Sequence, residues 1–369
     1  MTKAYSVSVL VPAYNEEDAI EGTIRAVFNL DYPNLLEVIA INDGSKDKTL
    51  EILKKLRKEF PKLKILDKKN SGKADSMNQA LKIAKGELIA VVDSDSFPRK
   101  DALVKSVGYF DDKKIGIVTV PILARNKSSF FEKLQAIDWV VVAFTRKLME
   151  KIDSIFVTPG PLAIYRREAI LSTGGFDPKN MTEDIEMTWH VLKNGWKIRM
   201  CLDTEATTLD PTKFKPWFKQ RQRWVMGGMQ TMWKYRKEFM RKGMLGMFIL
   251  PFFILSAFLA FFGFIIFAYL LTKNFFKELL LIKLSSEAGA SFLSLSNINL
   301  IPGILFYLGI LLFIVGAIFT AIIMFMMEED LFHRRNFFLF LTYLLLYPAL
   351  GPFIFITAIF KLIKRDMSW

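Results

Sequence analysis

The chain has 369 residues, 50 Lys and Arg against 37 Asp and Glu for a net charge of +13, and 52% hydrophobic residues, among them 34 Phe. Every uncharged apolar run longer than about 20 residues falls after Gly243, so the average conceals a charged globular part followed by a membrane-embedded last third. The single Cys201 excludes an internal disulfide, a CxxC redox pair and a thiolate metal cluster, and His190 and His333 are too few for a His-rich zinc site or a broad choice of Ser/His systems, which leaves the chemistry to carboxylates.

From the N-terminus, short β-branched apolar runs predict strands over residues 7–11, 38–41, 64–66, 88–92 and 116–120. Charged stretches of helical period between them predict helices over 16–29, 48–59, 74–84 and 100–109. The first apolar stretch is short and runs at once into Glu16, Glu17 and Asp18, so no signal peptide is expected. Alternating strands and helices predict an α/β domain with a mostly parallel sheet, and ligands of such sheets bind beyond the carboxyl ends of the strands. Those ends are unusually polar: Pro12-Ala13-Tyr14-Asn15-Glu16, Asn42-Asp43-Gly44-Ser45 and Asp93-Ser94-Asp95. Neither GxGxxG nor GxxxxGK[ST] occurs, which disfavours a dinucleotide fold or a P-loop.

Asp93-Ser94-Asp95 carries the most chemistry. Two carboxylates one residue apart at a strand end can hold a hard divalent cation and leave coordination positions for a diphosphate, although the same triplet also serves as plain turn chemistry. Asp43 alone could cap the helix that follows, and Tyr14 could be ordinary packing. Downstream, Thr182-Glu183-Asp184 opens a helical pattern in an ordinary capping arrangement. In Gln220-Arg221-Gln222-Arg223-Trp224, Arg223 offers a fork for phosphate and Trp224 a flat face for a sugar ring.

Residues 213–243 interleave basic side chains with Trp217, Phe218, Trp224 and Trp233 and run into the first apolar stretch. This predicts an amphipathic helix in the headgroup layer of an anionic leaflet rather than a nucleic-acid surface or a merely solvated helix. Three spans are predicted, over about 244–271, 300–327 and 337–360; the third carries Pro348, Gly351 and Pro352 and could kink or be re-entrant. Lys and Arg before the first span, with Arg334 and Arg335, outnumber Lys273, Lys277 and Lys283 plus Lys361, Lys364 and Arg365. The globular part is therefore expected on the cytoplasmic side of the cytoplasmic membrane, with the C-terminus outside.

In combination these elements resemble the family 2 glycosyltransferases with a GT-A domain, in the branch of the cellulose, hyaluronan, chitin and poly-N-acetylglucosamine synthases. The resemblance runs from Val7 to Trp224, in the order Asp43, Asp93 to Asp95, Thr182 to Asp184, and Gln220 to Trp224. It implies a domain at 1–212 that binds a nucleotide-diphosphate sugar such as GDP-mannose or a UDP-hexose, the interfacial helix at 213–243 and a membrane domain at 244–369. It also implies roles: Tyr14, Glu16 and Asp43 around base and ribose, Lys73 near the diphosphate, Asp93 on the nucleotide side, Asp95 with Asp93 at a Mn2+ or Mg2+ ion, Gln220 and Arg223 clamping the diphosphate, Trp224 and Glu183 on the acceptor side, and Asp184 as general base of an inverting displacement. Two departures stand out. The acceptor-side segment reads Val157-Thr158-Pro159-Gly160-Pro161, and no helices are expected before the catalytic domain, where polymer-secreting synthases typically have some. Three helices enclose a hydrophilic polymer poorly, so the expected acceptor is linked to a polyprenyl or dolichyl phosphate. A processive synthase is the alternative, and a non-catalytic nucleotide-sugar-binding or scaffold protein is the reading of another class.

Overall fold

A computed structural model describes residues 4–287, 304–326 and 334–364. The predicted strands are present as β1 (Val7–Ala13), β2 (Leu35–Asp43), β3 (Leu63–Lys68), β4 (Leu88–Val91) and β6 (Ile115–Thr119). The predicted helices are α1 (Ile20–Phe28), α2 (Thr49–Glu59), α3 (Lys73–Ile83) and α4 (Ala102–Val107). β1 and β4 are buried along their whole length, as befits strands covered on both faces. Their side chains alternate between two cores. Val7, Val9 and Val11 join Ile20, Ile24, Leu53 and Leu103 on one face, while Leu10 joins Met77, Ala80, Ile170 and Met187 on the other.

With β8 (Ala163–Arg166) and β9 (Lys197–Met200), the sheet runs β3-β2-β1-β4-β8-β6-β9. Neighbours are parallel except β8, which lies antiparallel to both β4 and β6. Three short strands, β5 (Ser96–Pro98), β7 (Ile122–Ala124) and β10 (Ala206–Thr208), form a second sheet in the order β5-β10-β7. β5 begins directly after Asp95, so Asp93-Ser94-Asp95 lies on the chain's crossing between the two sheets.

The long helix α5 (Phe130–Glu150) starts in a capping box between Ser129 and Glu132 and divides its surface between two neighbours. Leu134, Ile137 and Val140 pack on Ile323 and Met324 of α10 (Ile304–Met326) and on Leu339, Phe340 and Leu344 of α11 (Arg334–Ile363). Gln135, Trp139, Ala143 and Arg146, at positions i, i+4, i+8 and i+11, share another face; Trp139 and Ala143 join the two cores that flank the large sheet. Helix α6 (Arg167–Thr173) and helix α7 (Glu183–Lys193) complete the catalytic domain.

The segment 213–243 forms α8 (Phe214–Tyr235), but it is not simply an interfacial helix. Trp217, expected among headgroups, is 1% exposed and stacks edge-on against Tyr347 of α11, because α11 covers that face; Trp233 is 69% exposed. After a π-turn at Leu245–Ile249, α9 (Leu250–Glu287) continues through Lys273, Lys277 and Lys283, which therefore lie on a helix rather than in a loop. No Gly or Pro interrupts the sequence from Phe264 to Glu287. Among the described residues, two helices are long and apolar enough to cross a membrane, 245–284 and 337–363, and 310–326 is a shorter apolar helix. The second expected span, 300–327, is helical over Ile304–Met326, and its residues 300–303 and 327 lie outside the described residues, as does His333. α11 runs as one helix past Pro348, Gly351 and Pro352, not as a re-entrant pair.

Gly227 lets α8 press against Thr182: a Cβ there would collide with the Thr182 side chain. Ala is the better helix former by about 0.8–1.0 kcal/mol, but overpacking costs about 1–3 kcal/mol. Gly227→Ala is therefore expected to lower the melting temperature of the detergent-solubilised protein, where propensity alone would raise it.

Candidate active site

The loops after β1, β2 and β3 are tied to one another. Asn15, at a left-handed φ of 55°, accepts from the Lys46 N–H (2.8 Å), and its own N–H donates to Ser45 Oγ (3.0 Å). The Glu16 N–H donates to Thr49 Oγ1 (2.8 Å). Asp43 is no helix cap. Its carboxylate accepts from the N–H groups of Ser71 (3.0 Å) and Gly72 (2.9 Å) and pairs with Lys68 (2.5 Å), so it fixes the turn from which α3 starts. Gly72 occupies φ +93° in that turn, a conformation that side chains other than Gly rarely adopt. Tyr14 stands 44% exposed at the end of β1, with its ring available above this loop cluster.

Lys73, the first residue of α3, reaches across the site. Its Nζ lies 2.5 Å from Asp93 Oδ1 and 2.7 Å from Glu183 Oε1. The Asp93 N–H donates to the Gly160 carbonyl (3.1 Å), and a Cβ on Gly160 would run into the Asp93 carboxylate. The divergent segment 157–161 therefore lies directly on the DxD turn. Asp95 accepts from Ser96 Oγ (3.0 Å) and, at 3.4 Å, from Thr208 Oγ1.

Charge in the site is lopsided. Burial, followed by repulsion from Asp95, pushes Glu16 up to about 7, and burial together with the Asp93 charge raises Asp95 as well. Asp210, buried just after β10, rises to about 6 for the same first reason. Carboxylates held close and partly desolvated favour a cation among them. No group of three or more side chains stands in ligand arrangement among the described residues; the carboxylates that the DxD turn would offer a cation are Asp93 and Asp95. That donor set, all oxygen and incomplete, suits a hard Mn2+ or Mg2+ ion that takes its remaining ligands from a diphosphate.

On the opposite side, Thr182 precedes α7 without capping it through its side chain; its hydroxyl turns to Asn180 instead. The ordinary capping reading of Thr182 is therefore not what the structure has. Asp184 Oδ1 accepts from the Ile185 N–H (2.8 Å), and its carbonyl accepts from Thr188 Oγ1, which also meets Thr158 Oγ1 at 2.7 Å. Burial, then the neighbouring Glu183 charge, pushes Asp184 up to about 7, whereas Lys73, joined by Arg223, outweighs burial and holds Glu183 low. Of two adjacent carboxyls, one stays ionised and the other is poised near neutrality.

Trp217, Gln220, Arg221 and Trp224 share one face of α8. Gln220 Oε1 is buried with no hydrogen-bond partner among the described residues. The Arg223 charge is felt at Glu183. Trp224 meets Trp139 edge-on (5.9 Å), and its face is taken by the Arg221 guanidinium, 4.1 Å from the ring centroid. Sequence reasoning missed the residues responsible. Arg221 pairs with Asp138 of α5 (2.8 Å), Tyr343 Oη of α11 donates to that carboxylate (3.4 Å), and Trp139 Nε1 donates to Asp210 (2.9 and 3.0 Å). Asp138 sits in an apolar helix, and that is a signal, since a buried charge needs a partner.

Such a fold, with a DxD turn, a second carboxylate pair and a basic helix, fits a glycosyltransferase acting on nucleotide sugars. A profile of the family described as glycosyltransferase like family 2 matches residues 4–227, and the chain belongs to that family. A probable glycosyltransferase, YdaM, of Bacillus subtilis is 29% identical over all of this chain and 87% of its own length. A beta-monoglucosyldiacylglycerol synthase of Trichormus variabilis is 35% identical over 62% of this chain and 50% of the relative. A poly-beta-1,6-N-acetyl-D-glucosamine synthase of Staphylococcus aureus is 30% identical over 61% and 55%. The chain thus spans about half the length of these last two. The fold is shared with a mannosyltransferase from Pyrobaculum calidifontis solved with GDP-Man and Mn2+, at a TM-score of 0.53 and 23% identity over 64% of this chain and 65% of that one.

The Asp138–Arg221 pair yields a stability prediction. Asp138→Ala strands a buried guanidinium and is expected to cost about 3–5 kcal/mol. The double replacement Asp138→Leu with Arg221→Met should recover most of that loss in denaturant unfolding of the solubilised protein.

Proposed function

We propose that the chain transfers one sugar from a nucleotide-diphosphate sugar to an acceptor linked to a polyprenyl or dolichyl phosphate, at the cytoplasmic face of a membrane. The observation that carries this reading is the Asp184 carboxyl, poised near neutrality across the site from the DxD turn. An acceptor hydroxyl gives its proton to Asp184 as its oxygen forms a bond to the anomeric carbon, and the carbon–oxygen bond to the nucleoside diphosphate breaks with its electron pair. Glu183, kept ionised by Lys73 and Arg223, does not compete for that proton. Asp95 with Asp93 would hold the divalent ion, which when bound supplies positive charge for the leaving diphosphate. Lys73 and Arg223 lie where they can meet the same developing charge.

The lipid part of the reading is supported by apolar helices α10 and α11 packing on α5, whose other face meets the catalytic domain. It is also supported by the similarity to a synthase named for a diacylglycerol product. A processive synthase is the second reading, favoured by the similarity to the poly-N-acetylglucosamine enzyme. Labelled nucleotide sugars with Mn2+ and an extracted lipid fraction separate the two, since label enters lipid in one case and polymer in the other. A protein that only binds donor would leave it unhydrolysed.

Three outcomes are expected. Asp95→Ala should abolish metal-dependent donor turnover, read as nucleotide release with and without Mn2+. Asp184→Asn should slow transfer by at least about 10²-fold, with donor affinity unchanged by calorimetry. Because the base acts ionised and its pKa is raised, wild-type kcat/KM for acceptor should fall tenfold per unit below pH about 7 and level off above it.

A further inference from the structure

Arg146 is fully buried, and none of Nε, Nη1 and Nη2 has a hydrogen-bond partner among the described residues. Other buried charges have an ionic partner: Asp138 pairs with Arg221, and Glu186, fully buried on α7, holds Lys234 (2.6 Å) and Tyr235 (2.7 Å) on Oε1, although its Oε2 has no partner among the described residues. A guanidinium has several N–H donors in a fixed fork and does not lose its proton to escape the cost of burial. Burial draws Arg146 down only to about 10, so it remains cationic at neutral pH. Leaving such a group unanswered costs far more than one neutral hydrogen bond, and a methionine or leucine would fill the space without that cost.

Its position indicates what answers it. Arg146 lies on the face of α5 that carries Trp139 and turns to the catalytic domain, and the charge it senses is that of Asp184. The helix α5 is also the one on which α10 and α11 pack. The guanidinium therefore lies on the side of α5 that turns to the catalytic domain, where the Asp184 charge reaches it, and α10 and α11 pack on other residues of the same helix.

We propose that Arg146 is the receptor for a phosphate-type oxyanion carried by the acceptor, so that the acceptor presents a hydroxyl to Asp184 and a lipid-linked phosphate to Arg146. This deepens the reading of a lipid-phosphate-linked acceptor and rests on it. A planar fork matches two phosphate oxygens at once, which a lysine ammonium does not. A neutral glycolipid acceptor would leave the fork empty.

The test uses the full chain in detergent with labelled donor and Mn2+. Two acceptors differ only in the phosphate: glucose linked to farnesol through a phosphodiester, and farnesyl glucoside. Wild type should prefer the phosphate-linked acceptor, and Arg146→Met should lower that preference, taken as the ratio of the two kcat/KM values, by about 10²-fold; Arg146→Lys should recover part of it. An unchanged ratio overturns the proposal, whether both rates fall together, as they would if Arg146 acted only through Asp184, or neither falls. A wild-type preference for the neutral glucoside overturns it too. A thermal arm needs no variant: the phosphate-linked acceptor should raise the wild-type melting temperature and the glucoside should not. Equal stabilisation by inorganic phosphate would assign the site to a free anion and contradict the lipid-borne source. Donor hydrolysis, followed in parallel, reports on the transferase reading independently, since it involves no acceptor.

Discussion

The Lys73 ammonium, 2.5 Å from Asp93 and 2.7 Å from Glu183, joins two parts of the molecule that are far apart in sequence. Asp93 belongs to the turn between the two sheets, and Glu183 to the first turn of α7. Lys73 is itself placed by the loop that Asp43 clamps through two backbone N–H groups. Lys73 pairs with one carboxylate on each side, Asp93 and Glu183, while the neighbouring acids Asp95, Glu16 and Asp184 hold their protons more tightly than usual. Crowded, partly desolvated carboxylates favour a cation, and the raised Asp184 can take a proton near neutral pH.

A second constraint comes from α5 and α8, which carry charges into an apolar junction with α11. The Asp138–Arg221 pair, the Tyr343 hydroxyl and the stacked Trp224 form one connected set beneath the cleft. Buried pairs of this kind contribute little net stability against an apolar replacement, yet removing one partner is costly. Their effect here is geometric: α8 and α11 are held in one relative position, with Trp224 turned by Arg221 rather than left to rotate. The apolar helices are thereby part of the site's support.

Much of the donor half was legible in the sequence because its signals are local. Strand runs such as Leu88 to Val91 end in acids, and the DxD spacing is contained within three residues. The roles of Asp138, Arg146 and Arg221 were not legible, because each depends on which face of a helix is covered and by what. Arg221 and Arg223 are two residues apart and look equivalent in sequence, but one stacks on Trp224 while the other is felt at Glu183. Trp217 reads as a headgroup aromatic until α11 is seen to bury it. The antiparallel β8 and the second sheet are made of runs three or four residues long, too short to carry a period of their own.

The account places base and leaving group on opposite sides of the anomeric carbon, with a single displacement between them. The configuration of the transferred sugar tests this most directly, read from the one-bond carbon–hydrogen coupling of the anomeric centre in product made from 13C-labelled donor. The account predicts a product of configuration opposite to that of the donor. Retention would require two displacements or a front-face attack, and would contradict the role assigned to Asp184.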